Sequence, residues 1–389
     1  MSILHPKGFV AAGGAMGIKP TGVADVAIVA TSSGRPCSAA ATFTQNRAAA
    51  APVQVSRRHL AATGGQAGAV VLTSGNANAA TGAAGVAGAE TLCQVVATEI
   101  GLEPEEVLVC QTGLIGIPFP AAATLARLPA VIAARDDQPT SALAAATAIL
   151  TTDTKVKEVA IDGPGFKVGA MAKGAAMLAP NMATMLAVLT TDAAIEPEPL
   201  QALLRRAVAA SFNRLHVDGA TSTNDTVIVL ASGAAGPVDH DALGAALLEA
   251  CASLAAQMAD DAEGATKVCH LVVRGAASDA EAHRAARQVA DSLLVKCSLN
   301  GEDPYWGRIV SELGCAEVAF DLDRVSVAYG GVVVCAGGVG IAHDAAAVAA
   351  HLAERHVTIE CDLGLGEGSA TMLCNDLSYG YLDENRTTS

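Results

Sequence analysis

Residues 173–184 read Lys-Gly-Ala-Ala-Met-Leu-Ala-Pro-Asn-Met-Ala-Thr and place one hydroxyl residue, Thr184, directly after a small one, Ala183. A backbone break between Ala183 and Thr184 would leave a hydroxyl nucleophile and a free α-amine on the same residue. Such an amine titrates near ~7.7, so a useful share is unprotonated at neutral pH and can take the hydroxyl proton. The break itself requires only that Thr184 Oγ reach the Ala183 carbonyl. An N-to-O acyl shift followed by hydrolysis then releases the new terminus, with Pro180 fixing φ upstream and Ala183 adding no bulk. Taken alone, Thr184 also fits the entry to a buried strand, since residues 185–189 are continuously apolar.

Other polar clusters sit at the ends of apolar runs. Gln111-Thr112-Gly113 follows one, and a turn there would aim the Thr112 hydroxyl and the Gly113 amide at one point, the form of an oxyanion hole. Thr-Gly is equally a common turn dipeptide. Residues 74–78, Ser-Gly-Asn-Ala-Asn, and Thr151-Thr152-Asp153 read as turn and cap chemistry. Gly364-Leu-Gly-Glu-Gly368 lacks the Lys-Ser/Thr of a phosphate loop and the spacing of a dinucleotide loop, so neither is assigned. The nine histidines form no H-x-x-x-H pair of zincin type; no metal site is expected, and His216 reads as structural.

These residues need a scaffold. Val- and Ile-rich runs at 26–30, 69–72, 226–230 and 268–273 read as strands and alternate with Ala-rich helical segments. Residues 241–259 predict a helix with Leu243, Leu247, Cys251, Leu254 and Met258 on one face. A second helix starts at Ser278, spaced for a capping box with Glu281, and should carry Ala282, Ala286, Val289 and Leu293 inward. Residues 324–329 and 332–335 flank Gly330-Gly331 as a hairpin. The pattern is mixed α/β, of α+β type, without βαβ regularity.

Composition narrows the function. A net charge of −15 disfavours nucleic acid, whose phosphates demand clustered Lys and Arg. Hydrophobic residues at 51% exclude a disordered chain. The first residues lack a secretory signal and no window holds eighteen uninterrupted apolar residues, so a cytoplasmic protein without a membrane span is expected. Ten cysteines without a C-x-x-C pair read as small buried hydrophobes in a reducing compartment.

Several stretches taken together are more specific than any one. The 173–184 segment, Thr44-Gln-Asn-Arg47 with Ala51-Pro-Val53, residues 74–78, Thr112-Gly-Leu-Ile-Gly116, Thr151-Thr-Asp153, residues 217–225 (Val-Asp-Gly-Ala-Thr-Ser-Thr-Asn-Asp), Asp261-Ala-Glu-Gly264 and Asp303-Pro-Tyr-Trp-Gly-Arg308 follow one another along essentially the whole chain. In that order they resemble the ornithine acetyltransferase family, also called glutamate N-acetyltransferases. The resemblance implies a layered α/β sandwich of N-terminal-nucleophile type with a smaller C-terminal α/β lobe from about residue 235. It implies cleavage into an α-chain, 1–183, and a β-chain, 184–389, that stay associated, as an α2β2 heterotetramer.

By the same resemblance Thr184 is the nucleophile, Thr112 and Gly113 stabilise the oxyanion, and Thr151, Lys173, Thr184, Glu263, Asn385 and Ser389 contact substrate, with Thr388 the alternative to Ser389. The implied reaction is ping-pong transfer of acetyl from N2-acetylornithine to glutamate, with no cofactor. Members of that family differ in whether acetyl-CoA also donates. The chain departs from the family pattern at Ala176, Ala220, Tyr305 and Thr73. These departures keep open a paralogue that retains Thr184 but acts on other N-acyl amino acids in secondary metabolism, and a non-catalytic amino-acid binder. A further rival is an N-terminal-nucleophile amidohydrolase or aminopeptidase that uses the same Thr184 and passes the acyl group to water.

Overall fold

A computed structural model describes residues 3–19, 22–177 and 185–386. Ala183, Thr184, Thr388 and Ser389 lie outside the described residues. In chain order the strands are β1 (Phe9–Gly14), β2 (Val26–Thr31), β3 (Cys37–Phe43), β4 (Gln66–Ala67), β5 (Ala69–Asn76), β6 (Val107–Leu114), β7 (Lys157–Gly163), β8 (Phe166–Lys173), β9 (Leu186–Ala194), β10 (Leu215–His216), β11 (Thr226–Pro237), β12 (Val268–Ala276), β13 (Ser326–Tyr329), β14 (Val332–Ala336), β15 (Val339–Gly340), β16 (His356–Asp362) and β17 (Gly368–Asn375). The helices are α1 (Ala51–Ala62), α2 (Gly82–Ile100), α3 (Ala121–Thr124), α4 (Leu128–Ala133), α5 (Pro139–Ala148), α6 (Pro197–Ala210), α7 (His240–Asp260), α8 (Asp279–Asp291), α9 (Leu293–Asn300), α10 (Trp306–Cys315), α11 (Ala345–Ala353) and α12 (Tyr379–Asn385).

Two sheets face each other, ordered β1-β2-β5-β6 and β4-β3-β11-β9-β8-β7. Their strands are apolar on both faces, so the period-two alternation of side chains fills two cores at once. Val29, Leu72 and Leu108 point into the core between the sheets, where Val188 and Ile228 meet them. Their neighbours Ile28, Val71 and Val109 point the other way, against Leu92 and Val96 of α2. On the far side Leu189 and Val229 meet Leu204 of α6 and Leu254 of α7. The stack is therefore helix, sheet, sheet, helix, the layered sandwich that the family resemblance implies.

Helix α7 carries Leu243, Leu247, Cys251, Leu254 and Met258 fully buried, as its spacing predicts. It is long and apolar enough to cross a membrane by composition, but here its apolar face lies in the core beneath the six-stranded sheet. Because α7 belongs to that core, the sheet of the C-terminal lobe draws its strands from Val268 onward, apart from the short β10 at Leu215–His216. That lobe is a seven-stranded sheet, β10-β17-β12-β16-β13-β14-β15, with Leu271, Met372 and Ile359 buried against Ala286 and Val289 of α8. Residues 326–336 form the expected hairpin through Gly330-Gly331.

Two expectations need correction. Leu293 is 66% exposed rather than inward. Helix α8 ends at Asp291, and the Ser292 hydroxyl accepts from Val295 N to cap a new helix, which rotates Leu293 out. Ser278 caps α8 by accepting from Glu281 N, but the Glu281 carboxylate accepts from Ala319 N instead of completing the box. All ten cysteines are free thiols. Seven are buried as expected, whereas Cys297 and Cys315 are exposed and Cys37 is half-buried.

Candidate active site

Strands β8 and β9 are antiparallel neighbours, with Lys173 opposite Leu186. The 174–185 connection between them contains the expected cleavage point. Its downstream side is anchored at Met185, whose amide donates to Asp225 Oδ1 at 2.9 Å and whose carbonyl accepts from Thr226 N at 3.2 Å. Asp225 is fully buried, and burial pushes its carboxyl well above the usual carboxylate range despite that hydrogen bond. A chain break at 183–184 would thus leave the new terminus two residues ahead of a strand paired on both edges.

A cavity of about 320 Å³ opens at this end of the sandwich. Thr112, Gly113, Thr151, Lys173, Glu263 and Asn385 all line it, although they come from five separate segments of the chain. Thr112 and Gly113 were expected in a turn; they stand instead inside β6, paired in register with Ser74 and Gly75. Gly113 has φ +130°, and a Cβ there would stand 2.3 Å from the Gly75 carbonyl carbon, so only glycine fits. The segment is held from below by a buried amide set. Asn224 Nδ2 donates to the Gln111 carbonyl at 2.8 Å and to the Ala77 carbonyl at 2.6 Å, while Asn78 Nδ2 donates to Gln111 Oε1 at 2.8 Å. Ser74 Oγ donates to the Ala148 carbonyl. Residues 74–78, expected as turn chemistry, therefore brace Thr112.

Lys173 ends β8, with its ammonium 3.6 Å from Asp153 Oδ2. Burial alone would raise the Asp153 carboxyl, but Lys173 and Lys157 beside it outweigh that and hold it well below the usual carboxylate range. Asp153 Oδ1 also accepts from Gly174 N at 2.6 Å. Across the cavity, Glu263 sits in the loop after α7; its amide donates to the Ala175 carbonyl at 2.9 Å and its Oε2 accepts from Asn385 Nδ2 at 2.8 Å. The cavity thus sets a cation near one wall and carboxylates near another, with hydroxyl and amide donors between.

Sequence reasoning missed several lining residues. Asp218 accepts from Met177 N and, at 3.3 Å, from Tyr381 Oη, joining the start of the β8–β9 connection to α12. Burial, then Asp218, pushes the Tyr381 phenol up, so it stays a donor. Asp218 lay in a quoted motif without a role, and Asp153, which stands behind Lys173 and four residues before Lys157, was read only as turn and cap chemistry. Ala176 and Ala220, two of the four departures noted above, line this cavity as well. His216 is structural in the geometry: its Nε2 lies 3.0 Å from Asp291 Oδ1, and burial lowers its pKa although Asp291 opposes this. Burial pushes the Cys110 thiol, two residues before Thr112, up to about 12, so it is no competing nucleophile. Among the described residues, no three His, Cys, Asp or Glu side chains are arranged to hold a metal ion.

Comparison with known proteins gives one consistent result. The model of the ArgJ family matches residues 10–387. The "Arginine biosynthesis bifunctional protein ArgJ" of Thermobifida fusca is 47% identical over 392 residues, covering all of both chains. The protein of that name from Mycolicibacterium paratuberculosis is 47% identical over 395 residues, covering all of this chain and 96% of its own. A crystal structure of the Bacillus halodurans protein of the same name is 36% identical over 51% of this chain and 96% of that chain, with a TM-score of 0.49.

Proposed function

The chain belongs to the ArgJ family, and from that premise we propose that it is an arginine-biosynthetic acyltransferase that cuts itself between Ala183 and Thr184 and then carries acetyl on Thr184. The observation that supports this most is the single cavity shared by Thr112, Gly113, Thr151, Lys173, Glu263 and Asn385 beside the β8–β9 connection.

In the proposed reaction Thr184 Oγ attacks the acetyl carbonyl carbon of N2-acetylornithine while its own α-amine takes the hydroxyl proton. The Thr112 hydroxyl and the Gly113 amide donate to the developing oxyanion. The C–N bond then breaks, the α-ammonium of Thr184 returns the proton to the leaving nitrogen, and ornithine departs. Glutamate's amine attacks the acetyl ester in the reverse sense and leaves as N-acetylglutamate, with Thr184 restored. Lys173 meets the α-carboxylate, and Glu263, steadied by Asn385, meets the δ-ammonium, because a buried charge binds best where the opposite charge and hydrogen-bond partners already stand. Every step uses side chains, backbone and the α-amine, without a cofactor; acetyl-CoA remains a second donor to be assayed.

The two chains stay together because β3, β4, β7 and β8 precede the cut, β9 and β11 follow it, and all six share one sheet. An α2β2 assembly in a reducing, cytoplasmic compartment belongs to the same reading. Incubation with N2-acetylornithine with and without glutamate tests the reaction. Ornithine release that depends on glutamate is expected; release at the same rate without it would make the protein an amidohydrolase.

A further inference from the structure

One group of buried charges has no part in the steps above. Lys157, the first residue of β7 and opposite Ala172 in the β7–β8 ladder, is 1% exposed. Its ammonium donates to Asp153 Oδ1 at 2.8 Å and to Asp261 Oδ2 at 2.6 Å. Asp153 is in turn the ion partner of Lys173. Asp261 accepts further from the amides of Thr154 at 3.0 Å and Lys155 at 3.2 Å, and from the Thr154 hydroxyl. The result is an alternating string, Lys173, Asp153, Lys157, Asp261, whose last member stands two residues before Glu263.

We propose that this string is a ruler: it fixes the separation between the cavity's cation, Lys173, and its anion, Glu263, and so sets the chain length of the diamino acid that the site accepts. The inference rests on the acetylornithine reading above. Charges alternating in a water-poor interior resist separation far more than exposed pairs do, so the string is stiff where a surface salt bridge would not be. The chain next to each of its ends is also tied through backbone. Gly174 N is bonded to Asp153, and Glu263 N is bonded to the Ala175 carbonyl, so the loop carrying the anion and the strand carrying the cation cannot slide independently. Asp153, Lys157 and Asp261 are positioning residues, since they act through Lys173 and Glu263.

The test compares N2-acetylornithine with its homologues one methylene shorter and longer, N2-acetyl-2,4-diaminobutyrate and N2-acetyl-lysine. Wild-type protein is expected to favour the ornithine derivative in kcat/KM by roughly tenfold or more, the scale on which a rigid site rejects one methylene. Asp153→Asn keeps size and leaves the Lys157–Asp261 pair; it is expected to bring the preference toward unity, through KM rather than kcat. Asp261→Asn should do the same from the other end. An unchanged preference in a variant whose circular dichroism is native overturns the ruler. So does a wild-type protein that accepts all three equally, an outcome that needs no variant to fold. A wild-type protein that turns over none of them, or releases ornithine without need of glutamate, strikes at the acetyltransfer reading instead and removes the proposal with its premise.

Discussion

At the scale of single residues, the account divides labour between groups that meet substrate and groups that set their charge. If Lys173 meets a carboxylate, Lys173→Met forfeits a charge-assisted bond of about 1.5–3 kcal/mol, or roughly 10- to 100-fold in kcat/KM, mostly as KM; steady-state kinetics against N2-acetylornithine checks this. Two buried carboxyls should affect stability in opposite senses. Asp153 is held below its usual range, so its contribution is present above the unfolded value near about 4 and is lost as pH falls below it. Asp225 is pushed above its range, so the native state keeps a proton that the unfolded chain releases, and stability falls as pH rises upward from about 4. Asp225→Asn is expected to flatten that decline in urea midpoints measured from acid to neutral pH. A decline of the same slope in the variant would remove Asp225 as its source. Thr184 and Thr112 could be singled out from residue type and neighbours, Lys173 only through the family resemblance. Asp153, Asp218 and Asp225 were not, because a carboxyl's role depends on what burial brings beside it.

At the scale of elements, α12 meets the loop after α7 at a point with no room for a side chain. Gly264 has φ +60°, and a Cβ there would lie 2.1 Å from Tyr381 N, so the loop after α7 and the start of α12 interlock only through glycine. Gly264→Ala should displace α12 and, with it, Asn385 from Glu263. Its expected signature is a several-fold rise in KM with cleavage at 183–184 intact, read by kinetics beside a denaturing gel; unchanged KM would show that α12 does not shape the cavity. Element existence was largely readable. The strand runs at 26–30, 69–72 and 226–230 and the face of α7 emerged where period and apolar content predicted. What failed was local: one apparent helix broke at Ser292 because a capping hydroxyl outweighed an apolar period continuing to Leu293. Thr112-Gly113 looked like a turn because its pairing with Ser74-Gly75 is a long-range fact.

At the scale of the whole molecule, the expected cut falls between two paired strands of one sheet, so breaking the chain leaves the cores on both faces of that sheet intact. The two chains are expected to co-elute until the fold itself unfolds in urea, and native mass should correspond to two copies of each; separation of the chains under native conditions would contradict the shared sheet as the reason they persist. The layered order was readable only through the family resemblance, since strands apolar on both faces do not announce which sheet they join. The central claim is that Thr184 becomes a terminus and carries acetyl, and intact-mass spectrometry tests it most directly. Purified protein is expected to give two chains meeting at Ala183 and Thr184, and the chain that begins at Thr184 should gain the mass of one acetyl group on exposure to N2-acetylornithine and lose it on addition of glutamate. A single uncut chain, or an acetyl group located on any other residue, would contradict the account.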